Sequence, residues 1–460
     1  MQGQDRFDKF VKRYGVAGRN WLERPYLSRR SFFGIGAGVA GSGIVGSFGA
    51  RPAEAANVTS LGVKTRGTAK QTIFILLTGA PSHTDTFDFK NVSGVTPGSF
   101  APETVNGVVM PTGLLPKLSK GLPDYAIVRS MRSWALVHGL AQTWTQIGRN
   151  PTAALGDIAP NIGSIVAVEK EPERRPDQVF PTFLALNSNA AAGSGYLPGT
   201  YGPFKTLPNA NGLRNTSNAD GEARFKDRYA MLAPPATSPF GKAADDYASF
   251  YAAARGLMYN PVVDAAFRYT AAEREPYGNT NFGDACLVAQ KVLKAGQGTR
   301  YVQITFGGWD DHTNIYGDAV LPARARSLDN GVSQLIADLK ASGLYDSTLI
   351  VMAGEFGRTV GRLSAAGGRD HYLQQFCVMG GAGIKGGRAI GSTDATGGAT
   401  AESGWSRNRD IRPEDIEATI YSAMGIDWTT IRYDDPFGRG FEYVPYGQDD
   451  LYGPVNELWG

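Results

Sequence analysis

Gln71-Thr72-Ile73-Phe74-Ile75-Leu76-Leu77, running into Thr78-Gly79, decides the fold class. The apolar run is continuous rather than alternating, so both of its faces are covered, which is the habit of a buried parallel strand. Similar runs recur along the chain. Asp124 to Met131 centres on Ala126-Ile127-Val128, and Thr182 to Leu186 is shorter. Tyr301 to Phe306 runs into Gly307-Gly308, Thr348 to Met352 into Ala353-Gly354, and Phe376 to Met379 into Gly380-Gly381. Helices are predicted between them. Leu321, Ala325, Leu328, Val332, Leu335, Ile336 and Leu339 share one helical face, and Gly343 stops that helix. Pro413 opens another through Ile416, Ile420 and Ala423, with Gly425 beyond its end. Alternating strands and helices predict an α/β fold with a mostly parallel sheet. Residues 187–245 are rich in Gly, Asn, Pro and Ala, and 243–296 is more helical; together about 187–296 reads as a long insertion.

Charge separates the N-terminal segment from the rest. Residues 1–55 carry nine Arg/Lys and four Asp/Glu, a net +5, whereas the whole chain of 460 residues is +3. The remainder is therefore about −2, and no basic patch in it argues for nucleic acid. Ser28-Arg29-Arg30-Ser31-Phe32-Phe33 resembles a twin-arginine export signature, with Phe33 where Leu is usual. Phe32 to Ala50 holds seven glycines, a poor membrane anchor, and Ala53 and Ala55 suit cleavage after Ala55 or Ala56. The expectation is a signal peptide over 1–55, a linker over 56–69 and the folded domain over 70–460. The mature protein would be periplasmic or extracellular, with the twin-arginine translocation machinery as partner and no stable membrane span after cleavage. An uncut N-terminal anchor is the alternative. Cys286 and Cys377 are too few for a disulfide scaffold or a cysteine zinc site. They form one bridge, or Cys377 is simply core.

Histidine use points to the chemistry. The chain has four histidines, and three have a carboxylate within two residues. His83 and Asp85 follow the first strand, Asp310 and His312 follow the strand at 301, and Asp370-His371 precedes the strand at 376. Glu355 ends the strand at 348, with Arg358 close behind. In parallel α/β sheets, ligands bind beyond the carboxyl ends of the strands. His83, Asp85, Asp310, His312 and Glu355 can therefore share one crevice. Mixed imidazole and carboxylate donors suit one or two divalent ions of Zn, Mn or Fe. Taken singly, Asp88 reads as a turn residue, Glu355 as a helix N-terminal carboxylate and Arg358 as a surface charge.

Thr78-Gly79-Ala80-Pro81-Ser82-His83-Thr84-Asp85-Thr86-Phe87-Asp88 resembles the opening motif of the DUF1501 family. Gly308-Trp309-Asp310-Asp311-His312-Thr313-Asn314, Gly354-Glu355-Phe356-Gly357-Arg358-Thr359 and Gly368-Arg369-Asp370-His371-Tyr372 resemble its later motifs, in order. That family is similar to the alkaline phosphatase and sulfatase superfamily. The resemblance implies a doubly wound α/β fold with metals at the strand ends. Glu355 would take the place of the usual Asp, Phe356 replaces a His, and His371 would be the last metal histidine. Asp370 joins it as a candidate ligand. Sulfatases place a Ser or Cys nucleophile ten residues before a Thr-Gly pair; counting back from Gly148 lands on His138. His138 is then a metal ligand, a nucleophile or a buried structural residue. Arg358 is expected to hold an anionic oxygen by paired hydrogen bonds. The expected activity is metal-dependent hydrolysis of phosphate or sulfate esters. The alternative is a non-catalytic binding or scaffold protein on the same fold, handling polysaccharide.

Overall fold

A computed structural model describes residues 57–231 and 253–460. The segment read as an export signal, 1–55, lies outside the described residues. The central sheet has eight strands. They are β1 (Gln71–Leu77), β2 (Tyr125–Arg132), β3 (Phe183–Leu186), β4 (Phe204–Thr206), β5 (Tyr301–Thr305), β6 (Thr348–Gly354), β7 (Gln374–Gly380) and β8 (Arg388–Ile390). Their order across the sheet is β8-β2-β7-β6-β1-β5-β3-β4. Every neighbouring pair is parallel except those of β7, which is antiparallel to both β2 and β6. The chain is thus α/β with a mostly parallel sheet, as its apolar runs predict.

Helices cover both faces. β1 sends Ile73, Ile75 and Leu77 into one core and Phe74 and Leu76 into the other. The first core is closed by α3 (Asn281–Ala295) and α4 (Leu321–Ala341). The second is closed by α2 (Ile162–Lys170) and α5 (Pro413–Ala423), with α1 (His138–Ile147) at the end of the sheet. Local signals place these helices. Thr280 caps α3 by accepting from the Gly283 N–H, and Gly296 ends it at φ 64°. The seven apolar positions that share a face of α4 are all buried. In α5 every residue is buried, including Glu414, Asp415 and Glu417, so a helix expected to show one apolar stripe is enclosed on all sides.

Two parts of the 187–296 stretch belong to the central body. Phe204–Thr206 extends the sheet as edge strand β4, and α3 packs on α4 through buried Phe282 and Cys286, which lie against Gly331. Cys286 and Cys377 are both free and buried in the cores on opposite faces of the sheet. The sheet separates them, so they do not bridge.

Candidate metal centre

The topology brings five loops to one edge. Strands β1, β2, β5 and β6 run the same way, so their carboxyl ends share that edge. Because β7 is reversed, it begins there, which places the preceding Asp370-His371 beside the loops that leave the others. Two glycines allow the close approach. Gly79 sits at φ 98°, and a Cβ on it would lie 2.7 Å from the backbone nitrogens of Trp309 and Asp310. A Cβ on Gly368 would lie 1.9 Å from the His312 carbonyl carbon. Any side chain at either position would push the β5 loop away.

His138, Asp310, His312 and His371 meet at this edge, with one ligand atom from each within 4.8 Å of all the others. From Asp310 Oδ1 the distances are 3.2 Å to His138 Nε2, 2.9 Å to His312 Nε2 and 3.7 Å to His371 Nε2. His312 Nε2 and His371 Nε2 are 3.2 Å apart. Donors that share an ion in tetrahedral geometry, with bonds near 2.05 Å, stand ~3.3 Å from one another. Four of the six donor pairs, at 2.9 to 3.7 Å, bracket that spacing.

The opposite side of each ring supports the same reading. His138 Nδ1 faces Glu355 Oε1 at 2.7 Å, and His371 Nδ1 faces the Leu136 carbonyl at 2.7 Å. His312 Nδ1 has Asp370 Oδ1 at a looser 3.8 Å. An acceptor behind Nδ1 holds the proton there and turns the Nε2 lone pair toward the cluster, the usual support for a metal-binding imidazole. His138 Nε2 is buried and makes no hydrogen bond; it is near Asp310 but poorly aligned with it. Three lone pairs and a carboxylate converging on one point fit a divalent cation. The Asp310 and His312 side chains are 45% and 44% exposed, so solvent and substrate reach that point.

Electrostatics prepare the donors unequally. Burial alone would raise the Asp310 pKa, but the Arg358 hydrogen bond and charge, with His138 and His312, outweigh it and bring it down to about 2. His138 is shifted up, chiefly by its hydrogen bond to Glu355, against the opposing effect of burial. A metal must displace that proton. Metal uptake is therefore expected to weaken, as pH falls, already above the ordinary imidazole value of about 6.5. Zn²⁺ titrations across pH check this, and Glu355→Gln should move the midpoint down. In metal-free protein the sign reverses. The His138–Glu355 contact stabilises the fold fully below about pH 6.5 and is lost as pH rises through the raised pKa.

The family model for DUF1501, described as a protein of unknown function, matches residues 69–448. The chain belongs to the DUF1501 family. No curated protein matches it. Among solved structures, it is similar to the lipoteichoic acid synthase LtaP from Listeria monocytogenes (12% identity, TM-score 0.37, covering 85% of this chain and 79% of that one). It is also similar to the PsFucS1 sulfatase from Pseudoalteromonas sp. (14%, 0.39, 78% and 69%) and to the phosphonate monoester hydrolase of Agrobacterium radiobacter (10%, 0.38, 77% and 74%).

In this DUF1501 protein the other expected ligands stand behind the donor set. Glu355 is fully buried, and its Oε1 accepts from Gly79 N, His138 Nδ1 and Gln142 Nε2. Oε1 thus orients His138, while Oε2 is buried without a hydrogen-bond partner, and Glu355 is not among the four residues that converge. His83 is buried, with Nε2 2.9 Å from the Gly397 carbonyl and Nδ1 3.4 Å from the Arg358 N–H. Asp85 gives both oxygens to Arg369, at 2.6 and 3.2 Å, and accepts from the Tyr316 hydroxyl. Asp370 is 74% exposed, on the Nδ1 side of His312. Arg358, expected to grip a substrate oxygen, is fully buried instead. Its guanidinium donates to the Ala80, Gly79 and Arg369 carbonyls and, at 2.6 Å, to Asp310. Its Nη1 also lies 3.4 Å from His312 Nε2, so the guanidinium borders the donor set while it holds Asp310.

Sequence reasoning passed over Gln142, the Leu136 carbonyl and Arg369. Gln142 was within reach, since it lies four residues after His138 and so shares its helix face. The Phe356 ring packs against both imidazoles, 4.8 Å from that of His138 and 4.7 Å from that of His371, which themselves meet edge to face at 4.5 Å. Among the described residues this is the one group of three or more such side chains that could hold an ion.

Proposed function

We propose that this protein is an exported hydrolase of phosphate or sulfate esters that uses one divalent ion held by His138, Asp310, His312 and His371. The convergence of three Nε2 atoms on Asp310, with His138 and His371 each backed by an acceptor at 2.7 Å, carries this reading. An ion held there supplies Lewis-acid polarisation of an ester oxygen. Glu355 fixes the His138 tautomer, Leu136 fixes that of His371, and Arg358 keeps Asp310 ionised and in place. His138 turns Nε2 to the donor set, which favours a ligand role over a nucleophilic one. Thr143 and Thr145 donate their hydroxyl protons to the carbonyls of Gly139 and Ala141 within the helix, not to the donor set. Water is the proposed nucleophile.

The test is to load the purified protein with Zn²⁺, Mn²⁺ or Fe²⁺ and to assay aryl phosphate and aryl sulfate esters. About one ion per chain with turnover of one ester class is expected. Folded protein that neither takes up an ion nor turns over either class rejects the proposal. A buried Arg358 leaves no grip on a transferring phosphate or sulfate oxygen, which favours a second reading, in which the site captures a polysaccharide without turnover. Metal uptake with tight polymer binding and no hydrolysis would select it. Export to the periplasm by the twin-arginine route is part of the proposal. Replacing Arg29 and Arg30 by Lys should leave the protein in the cytoplasm, as cell fractionation would detect.

A further inference from the structure

The loop between β2 and α1 carries two supports of the donor set. Leu136 offers its carbonyl to His371 Nδ1, and the loop ends at His138. What holds this loop comes from the far end of the chain. Glu414, in the first turn of α5, is 3% exposed and uses both carboxylate oxygens on indoles. Its Oε2 accepts from Trp134 Nε1 at 3.0 Å, and its Oε1 accepts from Trp144 Nε1 at 2.9 Å. Trp134 lies in the loop just ahead of Leu136, and Trp144 lies on α1 beyond His138. The two indoles stack at 6.1 Å, and the Arg412 guanidinium lies 4.0 Å over the Trp134 ring. Arg412 also donates to the Arg132 and Ser133 carbonyls, at 3.2 and 3.1 Å.

We propose that Glu414 is a positioning residue for the metal centre, acting through Trp134 and Trp144 to set the Leu136 carbonyl behind His371 and the angle of α1 behind His138. The proposal rests on the reading that the His/Asp set binds a divalent ion. The chemistry of the contact explains why an acid stands here. A carboxylate is acceptor-only and takes two N–H donors at once. Glutamine offers one acceptor and turns an NH₂ toward the second indole, so one contact is lost. Loss of a group bonded directly to a metal-binding histidine weakens metal affinity about 10–100-fold, so for Glu414, which acts through the indoles, the lower end of that range is expected.

The experiment is a Zn²⁺ titration against a chromogenic chelator on wild type, Glu414→Gln, Trp134→Phe and Trp144→Phe. Each phenylalanine variant removes one N–H, keeps a ring, and leaves the carboxylate intact. They carry the test should Glu414→Gln not fold. Ile420→Ala, in the buried middle of the same helix, is the control for destabilisation alone. A loss of about tenfold is expected in the Glu414 and Trp134 variants, with the control near wild type. A second readout does not depend on metal. With four histidines in the chain, ¹⁵N-histidine spectra of metal-free protein report the His371 tautomer, whose Nδ1–H form should decline in Glu414→Gln and Trp134→Phe. Folded variants with wild-type affinity and an unchanged tautomer overturn the inference while leaving the metal reading intact. No Zn²⁺ uptake by wild type overturns the metal reading and this inference with it.

Discussion

Asp310→Ala is expected to abolish divalent metal binding, with affinity down by at least about 100-fold, the effect of removing a donor outweighing the 10–100-fold loss of an outer support. Asp310 Oδ1 is the atom on which the three imidazoles converge, at 3.2, 2.9 and 3.7 Å. It is also the sole anionic donor of the set, so its loss leaves three neutral nitrogens and removes the negative charge that balances a dication. A second effect runs through Arg358, whose fully buried side chain is paired with Asp310 at 2.6 Å. Taking away the carboxylate leaves that charge with three carbonyls and the His312 Nε2 at 3.4 Å, and no counter-charge bonded to it. Removing one partner of a fully buried pair costs about 3–5 kcal/mol; with Asp310 half exposed the penalty should fall below this range. Asp310→Asn separates the effects, because it keeps an oxygen acceptor for Arg358 while losing the negative charge. Elemental analysis after dialysis against Zn²⁺, with urea denaturation of the metal-free proteins, checks both. Wild-type metal content in Asp310→Ala would remove this residue, and the cluster built on it, from consideration.

The fold and the donors were legible to different degrees, for physical reasons. A strand such as Ile73-Phe74-Ile75-Leu76-Leu77 advertises itself because both faces must be apolar. The same property hides direction. Phe376 to Met379 reads identically whether the strand runs with its neighbours or against them, and the reversal of β7 is what carries His371 to the metal edge. His138, Asp310, His312 and His371 could be singled out because histidine is scarce and placed at element ends. Their supports could not be sorted from the ligands. A carboxylate at a strand end looks the same in sequence whether it faces an ion, an imidazole or a guanidinium. Glu355 meets His138 across 217 positions, and Asp85 meets Arg369 across 284. Arg358 illustrates the converse, since nothing in Gly357-Arg358-Thr359 says that the side chain turns inward.

Breaking the Asp85–Arg369 pair is the second large effect, and it separates two roles for Asp85. Both side chains are fully buried, and the carboxylate takes two guanidinium N–H groups, at 2.6 and 3.2 Å. Asp85→Ala leaves a guanidinium enclosed without a counter-charge, for which about 3–5 kcal/mol of lost stability is expected. Arg369 also ties loops together, donating to the Thr359 and Gly361 carbonyls while its own N–H reaches the Asp311 carbonyl. Since it precedes Asp370-His371, the loosened loop should weaken metal binding as a consequence. If Asp85 were a ligand, the order would differ: metal affinity would collapse while metal-free stability changed little. Urea denaturation in the presence of a chelator distinguishes the two, because it reads the fold with the ion removed. A large loss of stability in chelator assigns Asp85 to the scaffold, and near-wild-type stability in chelator with metal binding abolished returns it to the donor set. Asp85→Leu combined with Arg369→Met should recover part of the lost stability, as apolar replacements of buried pairs do. It should not restore metal affinity, because the contacts that aim His371 depend on the guanidinium and not on filled volume.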